Sequence, residues 1–162
     1  MSKNKWLKQI PLHIGWYISG FTDGEGSFNV SVKKVPDHRM GWKLAASFNV
    51  SQLDQTVLIV MKRYLGCGTL RERKDGVVYY EVTSIRALYE RIIPFFLKFR
   101  FFSATKKRNF LIFQKIIRKM FAGEHHKPKG FNEIMKYRAV LNEGRGRKRK
   151  YDLHNVHMGI TH

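Results

Sequence analysis

The chain has 162 residues, 43% hydrophobic and 14% aromatic, with 31 Lys and Arg against 12 Asp and Glu, a formal charge of +19 with histidine neutral. Twelve Phe, seven Tyr and three Trp can build a core, which excludes wholesale disorder, and the length predicts one domain, residues 1–143, followed by a basic C-terminal arm, 144–162. One cysteine, Cys67, excludes an internal disulfide framework, no stretch approaches the roughly 20 apolar residues of a bilayer span, and the basic surplus points to a polyanion, nucleic acid ahead of a membrane surface or a ribosome.

Leu12 to Thr22 reads as a helix closed by Gly24 or Gly26. From Ser27 to Lys33 the pattern switches to alternation: Phe28, Val30 and Val32 share one face of a strand. A turn at Pro36-Asp37 leads to a second strand, Lys43 to Ser51, with Leu44, Ala46, Phe48 and Val50 inward. Asp54 caps a helix that Gly66 stops, and Thr69–Arg73 and Val77–Thr83 flank Asp75-Gly76, a hairpin signal. Ser84 opens a helix that breaks at Pro94, Thr105 caps another carrying Phe110, Phe113 and Ile117, and a last helix covers roughly Phe131 to Leu141. The order α-β-β-α-β-β-α, with extra C-terminal helices, predicts an α+β fold whose four-stranded antiparallel sheet has helices on one face and solvent on the other.

That open face would carry Ser27, Asn29, Ser31, Lys33, Lys43, Ser47, Asn49, Thr69, Arg71, Arg73, Tyr79, Glu81 and Thr83. Such side chains can read base edges and grip phosphates, although an ordinary solvated sheet has similar composition. Basic residues also concentrate between Lys98 and Lys119, where no acid occurs, and at Arg145, Arg147, Lys148, Arg149 and Lys150, read as an arm that tracks phosphates. Glu124-His125-His126 and the pair His154 and His157 read as loop histidines rather than zinc ligands, because no cysteine accompanies them. Trp6, Trp16 and Trp42 read as packing residues.

The chemistry centres on Ile18-Ser19-Gly20-Phe21-Thr22-Asp23-Gly24-Glu25-Gly26. Gly20 and Gly24 stand four apart on a helix with Ser19 beside them, so one face lacks bulk and admits a second backbone. Past the helix end, unpaired carbonyls and the negative end of the macrodipole favour a cation beside Glu25, in the hard-oxygen environment that suits Mg²⁺. A solvated turn is the plain alternative.

Ile18 to Gly26 resembles the nine-residue signature of the LAGLIDADG homing endonucleases, and the element order is similar to theirs. The resemblance implies that Ser19, Gly20, Asp23 and Gly24 belong to a homodimer interface. It also implies that Glu25 and the Gly24 carbonyl hold the catalytic metal, and that Asp23 is structural. Phe48 to Gln52 resembles the strand whose glutamine orients water, and Thr105 to Arg108 the helix start whose lysine nears the scissile phosphate, which assigns Gln52 and Lys106 as catalytic. The implied protein is intron-encoded and intracellular, in a prokaryotic cytoplasm or nucleoid or in an organelle matrix, with no membrane partner. The implied activity is Mg²⁺-dependent double-strand cleavage of a long pseudo-palindromic DNA site, with Mn²⁺ or Ca²⁺ able to take the same place. An RNA-binding maturase acting on its own intron RNA and a non-cleaving DNA-binding regulator are the alternatives on this fold. Glu25 stands where many members have Asp, Thr56 where some have a basic residue, and only one signature occurs, which is why two copies are expected.

Overall fold

The apolar and polar alternation is realised as strands β1 (Gly26–Lys34), β2 (Trp42–Gln52), β3 (Thr69–Glu72) and β4 (Val78–Val82), antiparallel in the order β1-β2-β4-β3. The computed structural model describes residues 4–143 and 149–160. Phe28 lies opposite Phe48 and Phe48 opposite Val82, so the apolar sets of three strands meet on one face. Helices α1 (Lys5–Lys8), α2 (Leu12–Glu25), α3 (Thr56–Leu65), α4 (Ile85–Ala87), α5 (Ile93–Lys98), α6 (Ala104–Phe121), α7 (Pro128–Val140) and α8 (Leu153–Ile160), with a 3-10 turn at Glu124–His126, accompany the sheet among the described residues. The core is aromatic. Phe28, 1% exposed, meets Phe48, Phe96, Phe101, Phe110 and Phe113 at ring centroid distances of 4.9 to 6.0 Å.

Local signals place most boundaries. The Asp54 carboxylate accepts from the Thr56 N–H at 2.9 Å, and Gly66 ends α3 in the left-handed region. Two expectations fail. The helix after Ser84 does not break at Pro94: a π-helical turn, Leu88–Ile92, links α4 to α5, and Pro94 sits in the first turn of α5, where a missing N–H costs little. Thr105 does not cap α6, because Ser103 is already there, its Oγ accepting from the Lys106 N–H at 3.2 Å.

The chain after Leu141 is more than an arm. Val156 is buried, Tyr151 meets Trp42 edge-on at 5.0 Å, and Arg138 donates from Nη1 to the Tyr151 carbonyl at 2.8 Å. Arg149 donates to the Leu141 carbonyl, and burial lowers its pKa, so this residue is tied to its own domain. Arg145, Arg147 and Lys148 lie outside the described residues. Along the outer edge of β1, the Phe28 carbonyl accepts from Asn142 Nδ2 at 2.7 Å and the Val30 carbonyl from Arg138 Nε at 2.8 Å. Those donors cover an edge that would otherwise offer bare backbone to another strand.

Phe28→Ala should cost about 3–5 kcal/mol in urea unfolding, since five rings lose a shared neighbour. A loss under about 1 kcal/mol would contradict this packing.

Candidate catalytic site and nucleic-acid interface

Helix α2 divides its faces sharply. Gly15, Ile18, Ser19 and Thr22 are buried, and a Cβ on Gly15 would lie 2.1 Å from the Phe99 ring. Gly20 and Gly24 face open space: a Cβ on either would meet no atom within 4 Å. Around them the surface is apolar, with Leu12 64%, Trp16 45%, Tyr17 53% and Phe102 82% exposed. Ser19 is a correction to the expected interface, because it is 2% exposed and its Oγ donates to the Phe99 carbonyl at 2.8 Å.

Asp23 also turns inward. Its carboxylate accepts from the Phe102 and Ser103 N–H groups at 3.0 Å and from Ser103 Oγ–H, so it joins the end of α2 to the start of α6. Burial raises its pKa, but the bonds from Ser103 and Phe102, with the charge of Lys106, outweigh that and hold the carboxyl below its ordinary value. One turn into α6, Lys106 donates from Nζ to the Gly26 carbonyl. A Cβ on Gly26 would lie 2.4 Å from Thr22 Cγ2, so the tight passage from α2 into β1 requires glycine there.

Glu25, the last residue of α2, is exposed one position before that carbonyl. Gln52 ends β2 two residues past Val50, the partner of Gly26, and is half-buried. The Lys106 bond brings that lysine to the start of β1 beside Gly24 and Glu25, and the register sets Gln52 near by on the neighbouring strand. Beside them a polar pocket of about 280 Å³ is lined by Asp23, Ser27, Asn29, Lys106, Asn109 and Asn142, among others. Asn109 and Asn142 escape sequence reading because the chain only meets itself there after folding: Asn109 Oδ1 accepts from the Asn142 N–H at 3.1 Å, and Asn142 adopts φ 55°. Among the described residues no group of three or more His, Cys, Asp or Glu side chains is placed to hold a metal. Glu25 with carbonyl oxygens at a helix end is a hard-oxygen donor set, and it suits a divalent cation whose shell a phosphate and water complete.

The open face of the sheet is arranged as expected from alternation. Ser27, Asn49, Glu81 and Thr69 form one row across the four strands, and Ser51, Tyr79 and Arg71 form the next. Asn29 pairs with Ser47, and Lys33 lies directly opposite Lys43, a like-charge pair that repels unless an anion sits over it. Ser31 is exposed, its Oγ 3.5 Å from the Ala45 carbonyl. Arg73 is held at the hairpin tip, 2.8 Å from Asp75, donating to Tyr79 Oη at 2.5 Å.

Because the Asp23 carboxylate is bonded as an anion, it contributes stability above the unfolded aspartate pKa, about pH 4, which is lost as pH falls through its lower folded value. Asp23→Asn should lower stability by about 1–2 kcal/mol near pH 7 and flatten the acid limb of the thermal-melting profile. An unchanged melting temperature and acid limb would mean the clamp is not formed.

The model of the LAGLIDADG endonuclease family matches residues 18–117. Probable intron-encoded endonuclease 2 of Neurospora crassa is 32% identical over 149 residues, covering 85% of this chain but 33% of the relative. Among solved structures, the archaeal intron-encoded homing endonuclease I-Vdi141I complexed with DNA superposes with a TM-score of 0.84 at 34% identity, covering 91% of this chain and 94% of that one. I-SmaMI bound to an uncleaved DNA target in the presence of calcium ions gives 0.76 at 30% identity, over 82% of this chain and 46% of that one. The chain thus spans about a third of the curated fungal relative and nearly all of the archaeal nuclease. A matched signature helix, the α-β-β-α-β-β-α order and the family match across most of the domain place this chain in the LAGLIDADG endonuclease family.

Proposed function

We propose that this chain is a site-specific double-strand DNA endonuclease that works as a homodimer, the two α2 helices packing through Gly20 and Gly24. One observation carries the reading: Asp23 fixes α6 so that Lys106 stands at the Gly26 carbonyl, one residue from the exposed Glu25, at the edge of an open basic sheet. Strand β2, with 11 residues at about 3.3 Å each, spans on the order of one turn of B-DNA, and its face matches the polar, basic character of a major-groove reader. The exposed apolar stripe of Leu12, Trp16, Tyr17 and Phe102 supports burial of α2 against a second copy, and two copies give a pseudo-palindromic site. Near-complete coverage of the archaeal DNA complex fits a subunit of the same size.

Glu25 and the Gly24 carbonyl would hold Mg²⁺, with Mn²⁺ or Ca²⁺ taking the same oxygens. When bound, the cation supplies charge stabilisation on the phosphoryl oxygens and a water of lowered pKa. The remaining roles belong to the protein. Lys106 places its ammonium beside the scissile phosphate to stabilise the developing charge, and Gln52 orients the attacking water. Lys33, Lys43 and Arg71 neutralise phosphates, while Asn29, Ser47, Asn49 and Tyr79 face base edges. An organelle matrix or a prokaryotic cytoplasm suits a product similar to fungal and archaeal intron-encoded nucleases. Among the described residues no helix is long and apolar enough to cross a membrane.

On a duplex recovered from a randomised library, Glu25→Gln should cut at least about a thousandfold more slowly while binding within about threefold of the parent. Mixed dimers of the parent chain and Glu25→Gln should nick a single strand. Full cutting by the variant would remove Glu25 from the chemistry, and mixed dimers that still cut both strands would remove the one-site-per-subunit arrangement.

A further inference from the structure

The open face of the sheet carries a single carboxylate. Among the side chains that the four strands turn toward that face, Glu81 alone is acidic, while Tyr80 and Val82 on either side of it are buried on the other. It stands directly between Asn49 on β2 and Thr69 on β3, in the row that begins at Ser27, and it is half-buried. Elsewhere in this basic chain acids are matched: Asp75, Glu90, Glu124, Glu133 and Glu143 each face a lysine or arginine within 3.3 Å. Among the described residues no basic group lies within ion-pairing reach of the Glu81 carboxylate.

An unmatched acid is costly at a surface that meets a polyanion. Duplex DNA brings one negative charge per about 1.7 Å of its axis, so Glu81 weakens binding to every sequence unless it meets a hydrogen-bond donor. A carboxylate only accepts. In the major groove the base-edge donors are the amines of cytosine and adenine, whereas guanine and thymine turn acceptor oxygens toward the protein. Adenine sets its N7 acceptor beside the amine, against the second carboxylate oxygen, and cytosine sets only a C–H there. Cytosine is therefore the base that an unpaired carboxylate fits best.

The register also says where along the site this base lies. Ser27 heads the Glu81 row and follows Glu25 by two residues, whereas the Lys33–Lys43 pair stands six residues further along β1, about 20 Å away. Glu81 thus belongs to the end of the sheet nearest Glu25.

We propose that Glu81 is a specificity-determining residue that selects a cytosine at an inner position of each half-site and rejects guanine and thymine there by repulsion between acceptors. Such selection rests on the sheet acting as the DNA interface, and it gives the otherwise basic face a means of refusing a wrong duplex.

The test reads binding apart from cutting: the full chain is incubated without divalent metal with a randomised duplex library, and the bound duplexes are sequenced. The parent should favour cytosine by about tenfold at one inner position of each half-site. Glu81→Ala should lose that preference alone and bind unrelated duplexes about threefold more tightly, because a negative charge has gone. Glu81→Gln, which keeps the shape and gains a donor for N7, should move the preference at the same position from cytosine to adenine. Preferences kept at the other positions show that each variant is folded. A parent that enriches no sequence removes the site-specific reading of the sheet and this role with it. The role alone is overturned if a parent that does select a sequence keeps all its preferences in Glu81→Ala, if the position that responds lies at the outer end of the half-site, or if Glu81→Ala weakens every position together.

Discussion

One carboxylate governs how this domain presents its chemistry. Asp23 accepts two backbone N–H groups and one hydroxyl from Phe102 and Ser103, and that junction fixes where α6 begins relative to the end of α2. Everything at the site is counted from it. Ser103 caps α6, Lys106 follows within the first turn and reaches the Gly26 carbonyl, and Glu25 sits one residue earlier on the chain. Placed one turn later on α6, a lysine would stand about 5.4 Å further along the helix axis, and the exposed acid would lack its cationic neighbour. The two acids of the signature are therefore placed differently: Asp23 is bonded into the junction, and Glu25 is left exposed to solvent.

That division explains which parts of the molecule were legible in its sequence. The strands were, because Phe28, Val30, Val32, Leu44, Ala46, Phe48 and Val50 alternate without exception, and alternation survives whatever the tertiary context. The helix stops at Gly66 and Gly26 were legible for the same local reason. Ser19 was misassigned because a small residue on a glycine-flanked helix reads alike whether its hydroxyl meets a second subunit or, as here, the Phe99 carbonyl eighty residues away. The break expected at Pro94 failed because proline is compatible with a first helical turn, and a preceding π-turn supplies one. Asn109, Asn142, Arg138 and the return of Tyr151 onto Trp42 depend on contacts between distant segments, for which no local pattern exists. The signature marked the end of α2 as the place to look; the polar network around it had to be seen folded.

Charge distribution ties the faces together. The sheet sets Lys33 against Lys43 and leaves Arg71 exposed, an arrangement that is repulsive until a polyanion arrives. The helical layer presents aromatic and basic side chains instead of hydrogen-bonding rows, and α2 presents no side chain where Gly20 and Gly24 meet solvent, between exposed apolar neighbours. Three surfaces of different chemistry, one basic and polar, one flat and apolar, one aromatic and basic, thus stand on a single phenylalanine-rich core.

The most direct test of that junction is a double-mutant cycle of Asp23→Ala and Lys106→Ala, read as single-turnover DNA cleavage by chains confirmed to be folded and DNA-bound. If Asp23 acts by placing Lys106, the double variant should be no slower than Lys106→Ala by more than about twofold, although each single change slows cleavage substantially. Losses that multiply would contradict the account, since they would mean that the two residues act independently and that the lysine finds its place without the clamp.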